Sequence, residues 1–181
     1  GMTTEPALSA GLLAGASAYT DTAVIVLSRF SGEGWDRSSI EYNGEYNPWE
    51  TETSMPKISG EIFPDGDFYL TKEESAMIAQ VKQHFSRIAV VLNIGGIIDT
   101  SWIKNDDQIS SALIAWQGGM EGGSALADIL TGQVSPSGRL TDTWAVRYED
   151  YPSANTFSYR NGNLENEEYC EGIYVGYRWF D

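Results

Sequence analysis

The sequence contains few of the residue types on which several kinds of catalytic site depend. Cys170 is the one cysteine, so no disulfide can form within the chain. His84 is the one histidine; it lies beside an apolar helical stripe, and no G-x-S-x-G elbow accompanies it, so a Ser-His-Asp triad is not indicated. The residues also offer no cysteine–histidine cluster for zinc. We therefore expect no metal and no cofactor.

Basic residues are scarce as well, and long apolar runs are missing. Eleven Lys and Arg stand against 26 Asp and Glu, a net charge of −15, which argues against nucleic acid and anionic membranes as partners. No apolar run approaches the ~20 residues of a membrane helix. No basic segment precedes an apolar one, so no signal peptide is predicted and a cytoplasmic location is favoured. Gly1 before Met2 indicates an expression scar, so residue 1 need not be the natural start.

Three apolar runs have the length and β-branched composition of buried strands. Two further segments have helical character, and the first of them opens with a capping box formed by Thr71 and Glu74. Gly132 is a plausible stop for the second. In chain order these elements are predicted at residues 21–30, 71–85, 88–96, 111–119 and 120–130. Uninterrupted apolar strands are typical of a parallel sheet covered on both faces.

The remaining segments complete the predicted organisation. Residues 38–66 lack periodicity and are predicted to be a long loop, and "SPSGRLTDTWA" is predicted to be a turn followed by an edge strand. The fold class is therefore α/β: a flavodoxin-like three-layer α/β/α sandwich whose mostly parallel sheet has one antiparallel edge strand. The predicted domains are a lead-in or linker segment at 1–20, the sandwich at 21–160 and an aromatic arm at 161–181.

Each predicted strand ends in a polar or glycine-rich turn, and ligands bind beyond the carboxyl ends of such strands. This places Glu33, Asn93 and Glu121 near one another at that edge. In "SRFSGEGWDR", glycines on both sides of Glu33 permit a close approach by another group, although the pattern also suits a plain turn. Glu121 in "GGMEGG" begins a helix, whose dipole would stabilise its carboxylate. The same segment fits neither a P-loop nor G-x-G-x-x-G.

The neighbours of Glu33 have structural interpretations. Asp36 and Arg37 would brace the loop by pairing with nearby groups, and Trp35 would be a core residue or a sugar-stacking platform. Of the kinds of catalytic chemistry considered, carboxylate chemistry is left, and glycoside hydrolysis uses two carboxylates on either side of the scissile bond. The residues alone offer one well-placed carboxylate and no equally convincing second one.

Five segments occur in a characteristic order: "SRFSGEGWDR", "GDFYLTKEE", "VVLNIGG", "ALIAWQGGMEGGSALADILTGQVSPSGRL" and "EGIYVGYRWFD". Together they resemble the second, α/β-sandwich domain of family 3 glycoside hydrolases. The resemblance implies an active site shared with a preceding (β/α)8 barrel, which would supply an aspartate nucleophile. It gives Glu33 the role of acid/base, Asp36 and Arg37 that of a loop brace, and Trp35 a contact on the aglycone side. The arm would lead toward a third domain.

The function implied by this resemblance is retaining hydrolysis of terminal β-linked sugars, as in β-glucosidases. The partners would be a β-linked glucoside or oligosaccharide and the barrel of the same enzyme. We expect the chain to be a fragment, or half of a split enzyme, that is inactive alone. Two alternatives remain open at this point: a flavodoxin-like module that binds a flavin or nucleotide, and a structural scaffold without a catalytic role.

Overall fold

A parallel sheet organises the part of the chain that the computed structural model describes, which is residues 8–30, 60–157, 166 and 168–180. Its strands are β1 (Thr22–Ser28), β2 (Arg87–Asn93) and β3 (Ile109–Ile114), hydrogen-bonded in the order β1-β2-β3. Both pairs are parallel, as the sequence predicts. The third strand starts earlier than predicted and ends at Ile114, so the glycine turn lies outside the ladder.

Helices precede and connect these strands, and the predicted caps are present. Thr71 and Glu74 form the predicted capping box, and Gly132, with φ of 76°, follows the last helix in a left-handed conformation typical of a helix stop. No helix among the described residues is long and apolar enough to cross a membrane. The helices with bounds inside the described residues are α1 (Ala10–Tyr19), α2 (Lys72–His84), α3 (Ser101–Lys104) and α4 (Gly122–Leu130), and 3-10 turns lie at Tyr148–Asp150 and Gly176–Trp179.

The main core lies on one face of the sheet. Alternate residues of β1 point to that face, because successive side chains of a strand face opposite sides. Leu13 of α1, which lies in the segment predicted to be a lead-in or linker, packs into the same core. The buried members of this cluster are Leu13, Ile25, Leu27, Ile78, Val81, Phe85, Ile88, Val90, Leu92, Ile94 and Ile98.

The opposite face of the sheet is covered unevenly within the described residues. Val91 of β2 is fully buried, whereas Val24 and Val26 of β1 are 52% and 53% exposed. The uninterrupted apolar pattern of β1 predicts burial on both faces. The described part of the chain covers one of them at β1.

The predicted antiparallel edge strand is not present: the segment "SPSGRLTDTWA", residues 135–145, is fully described and contains no strand. Tyr151 accounts for the difference, because its hydroxyl accepts the Ala145 N–H at 2.9 Å and also lies 3.4 Å from the Thr143 carbonyl oxygen. The Arg147 N–H goes to the Asp150 carboxylate at 3.1 Å. Side chains therefore hold the backbone groups that a strand would offer to a neighbouring strand.

The capping box at the start of α2 leads to a stability prediction. Thr71→Ala removes the hydroxyl that accepts the Glu74 N–H at 3.1 Å. We expect it to lower the free energy of unfolding by ~1 kcal/mol, the usual cost of losing such a cap. Thr71→Ser keeps the hydroxyl and is the matched control. Urea denaturation of both variants measures the difference, and equal stabilities would show that the cap contributes nothing.

Candidate functional site

The carboxyl ends of the three strands meet at one edge of the sheet. Ser28, the last residue of β1, lies opposite Asn93, the last residue of β2. The ladder continues just beyond the strands, since the Arg29 N–H donates to Asn93 at 3.1 Å and the Ala115 N–H donates to Leu92 at 2.9 Å. The parallel pairing therefore makes the chain leave all three strands at the edge at which open α/β sheets bind ligands.

The site residues predicted from the sequence, and the two residues predicted to lie beside Glu33 at this edge, fall into two groups. Asn93 and Glu121 are described, and both are solvent-exposed. Glu121 occupies the N-cap position of α4, and its carboxylate accepts a hydrogen bond from Ser124 Oγ at 3.1 Å, which agrees with the helix-terminus interpretation. The other predicted residues lie outside the described residues: Glu33, Trp35, Asp36 and Arg37.

A buried arginine stands directly at the carboxyl end of β1. Arg29 is 2% exposed, and its guanidinium forms a two-pronged pair with Glu74 of α2, at 2.6 Å from Nη1 and 2.8 Å from Nη2. Nε donates to the Asp67 carbonyl at 2.7 Å and Nη2 to the Tyr69 carbonyl at 3.1 Å. Nη1 also donates to the Ser28 carbonyl at 2.9 Å. All five N–H donors of the guanidinium therefore have an acceptor.

This arrangement links three parts of the fold. Glu74 Oε2 also accepts the Thr71 N–H at 2.9 Å, so one carboxylate caps α2 and neutralises the arginine. The Phe63 ring lies 4.5 Å from the guanidinium carbon and covers it as a cation–π contact. A buried charge requires partners of this kind, because an unpaired one is strongly destabilising. The network therefore ties the end of β1 to the start of α2.

Sequence reasoning missed the role of Arg29. A signal was present, since a charged residue immediately after a buried apolar strand needs a partner when it is itself buried. Glu74 already had an explanation as part of the capping box. Its second role depends on a contact between residues that are 45 positions apart in the chain.

The segment that accepts the hydrogen bonds of Arg29 is itself packed. The Phe68 carbonyl accepts the Asp99 N–H at 2.9 Å, which connects this segment to the loop after β2. The Phe68 ring contacts those of Tyr148 and Tyr151 edge to face, with centroids 5.4 and 6.4 Å apart. Burial raises the pKa of the Tyr151 hydroxyl, so it stays protonated and can hold its backbone partners.

The turn after β3 has a constrained backbone. Among the described residues, Trp116 is the one non-glycine residue with a positive φ, which is 54°. A bulky side chain in this region is uncommon and indicates a turn held by its surroundings. Gly118 approaches α4 so closely that a Cβ there would lie 3.0 Å from Gly122 Cα. The glycine-rich turn is thus closely packed where strand passes into helix.

Comparison with known proteins gives a consistent match. Residues 12–177 match the glycosyl hydrolase family 3 C-terminal domain. The chain is 51% identical over its whole length to Beta-glucosidase A of Butyrivibrio fibrisolvens, covering 21% of that protein. It is 35% identical over 98% of its length to a Beta-glucosidase of Ruminococcus albus, covering 16% of it.

Solved structures agree with these matches. The structure of beta-glucosidase 3B from Thermotoga neapolitana in complex with glucose superposes with a TM-score of 0.74 at 34% identity. The superposition covers 96% of this chain and 21% of that one. The chain therefore spans about a fifth, or less, of the length of these relatives.

The close approach in the glycine-rich turn can be tested with two alanine substitutions. An alanine at 119 would meet no heavy atom within 4 Å among the described residues, so Gly119→Ala is the matched control. At Gly118 the new methyl group must displace the backbone of Gly122. We expect Gly118→Ala to unfold at lower urea concentration than Gly119→Ala, by ~1–3 kcal/mol as is usual for overpacking. Indistinguishable stabilities would contradict the close packing.

Proposed function

The chain belongs to the family 3 glycoside hydrolases as their C-terminal domain, and we propose that its Glu33 is the general acid/base of a β-glucosidase-type enzyme. The active site would be shared with a (β/α)8 barrel elsewhere in the whole protein. The support for a barrel partner is length, since the relatives are about five times as long as this chain or longer.

One observation carries the assignment of Glu33. In the sequence it follows Ser28, the last residue of β1, by five positions, and the end of β1 lies at the ligand-binding edge of the sheet. A carboxylate on this loop can be directed away from the sandwich toward a sugar bound by another domain. The glycines on both sides of Glu33 leave room for that approach. Asp36 and Arg37 brace the loop, and Trp35 contacts the aglycone side.

The proposed reaction retains configuration in two steps. Glu33 first donates its proton to the glycosidic oxygen while an aspartate of the barrel attacks the anomeric carbon and forms a glycosyl-enzyme. Glu33, now a carboxylate, then accepts a proton from the water molecule that releases the sugar. The substrates are terminal β-linked sugars. The bound glucose named for the Thermotoga neapolitana enzyme supports a glucoside.

The role of Glu33 can be tested in the full-length protein with Glu33→Gln. This change keeps the shape and removes the transferable proton, so kcat/KM for a β-linked disaccharide should fall by ~10²–10⁴-fold. The kcat/KM of an aryl glycoside with a good leaving group should fall much less. With this substrate, the slow step in Glu33→Gln should be the second one, the breakdown of the glycosyl-enzyme. Azide, which needs no deprotonation, should accelerate that step and give a β-glycosyl azide.

Glu121→Gln is the matched control, since it alters a glutamate in another glycine-rich turn that follows a strand of the sheet. We expect its activity on both substrates to resemble that of the unaltered protein. If Glu33→Gln instead causes small, equal losses on both substrates and azide has no effect, Glu33 is not the acid/base. The domain would then act as a scaffold.

The isolated chain provides a second test. Retaining hydrolysis needs two carboxylates, and the proposal assigns the nucleophile to the barrel. The purified 181-residue chain should therefore hydrolyse aryl β-glucosides no faster than buffer. Turnover by this chain that is lost in Glu33→Ala would mean that the nucleophile lies within it.

A further inference from the structure

The contacts of Arg29 concern both ends of the segment that carries Glu33. The segment leaves the end of β1 just after Arg29 and returns to the described chain at residue 60. The partners of Arg29 on the return side are the carbonyls of Asp67 and Tyr69 and the carboxylate of Glu74. On the outgoing side, Arg29 is held by its own N–H, which donates to Asn93 of β2 at 3.1 Å.

We propose that Arg29 is a positioning residue for the acid/base Glu33: its guanidinium fixes both ends of the loop that carries this glutamate. The inference rests on the proposed function of Glu33. Arg29 does not touch the substrate, and it acts through the loop.

A guanidinium suits this position in a way that another cation does not. Its planar fork reaches both carboxylate oxygens of Glu74 while Nε and a second Nη2 hydrogen reach two carbonyls. A lysine has a single charged atom and cannot hold this geometry. Arg29→Lys therefore keeps the charge and loosens the loop ends.

The partner of Arg29 is itself held rigidly. Glu74 is fixed by the capping box of α2, whose buried residues Ile78 and Val81 anchor the helix in the main core. The loop ends are therefore attached to the core of the domain through a guanidinium whose five donors are all used. Displacement of a catalytic group by ~1 Å can cost ~10²-fold in rate.

The test compares Arg29→Lys with Glu33→Gln in the full-length protein. We expect Arg29→Lys to lower kcat/KM for a β-linked disaccharide by ~10²-fold, since a misplaced acid cannot protonate a poor leaving group. The loss for an activated aryl glycoside should be several-fold smaller, and azide should accelerate its turnover. This dependence on the leaving group is a readout that a loss of stability alone does not produce.

Lys82→Met is the matched control, because it removes another partly buried ion pair of α2, that with Asp106. Its thermal unfolding temperature should fall, while its losses on the two substrates should be equal and small. Glu74→Gln, which retains the oxygen for the capping box, replaces Arg29→Lys if the latter does not fold, and it should show the same leaving-group dependence in weaker form.

The outcomes separate the two proposals. One outcome is that the loss in kcat/KM caused by Glu33→Gln depends on the leaving group while the loss caused by folded Arg29→Lys or Glu74→Gln does not. In that case the proposed role of Arg29 is wrong and that of Glu33 stands. If Glu33→Gln shows no such dependence, the acid/base assignment fails, and the positioning role of Arg29 fails with it. The positioning role is supported if the loss in kcat/KM depends on the leaving group in both Glu33→Gln and Arg29→Lys, and is equal for the two substrates in Lys82→Met.

Discussion

The pairing of the buried Arg29 guanidinium with Glu74 is the interaction on which the carboxyl edge of the sheet depends. The five donors of the guanidinium connect β1, the segment around Phe68 and the first turn of α2, and its charge is neutralised by Glu74. Removing one member of a buried pair typically costs ~3–5 kcal/mol, because the other charge is left without a partner. Such a cost keeps the end of β1 and the start of α2 in one arrangement.

The parallel register brings the end of β1, where Arg29 lies, to the same edge as the ends of the other two strands. Ser28 and Asn93 lie opposite each other, and Ala115 continues the ladder beyond β3, so the chain leaves all three strands at the same edge. Residues that are distant in sequence can then serve one ligand. The chain that leaves β1 at Arg29, the turn after Asn93 and the tightly packed turn around Gly118 all begin from this edge.

The chain matches the C-terminal domain of its family and spans about a fifth, or less, of the length of its relatives. Its relatives are several times longer, and the described face of β1 that carries Val24 and Val26 is half exposed. A single proposed acid/base explains why the chemistry would need a second domain, since retention requires two carboxylates close to one bond. Under the proposed function, Arg29 would hold this glutamate in place for a substrate bound by the second domain.

Local patterns in the sequence determined much of the fold: the three apolar strands, the capping box of Thr71 and Glu74 and the stop at Gly132. Local motifs also carried the family resemblance. These depend on residues near one another in the chain, whose spacing directly reflects backbone geometry. The tertiary structure alone decided the pairing of Arg29 with Glu74, the side-chain contacts of Tyr151 that replace the predicted edge strand, and the one-sided burial of β1. Each depends on which distant groups come within a few ångströms, and the spacing of residues along the chain does not specify that.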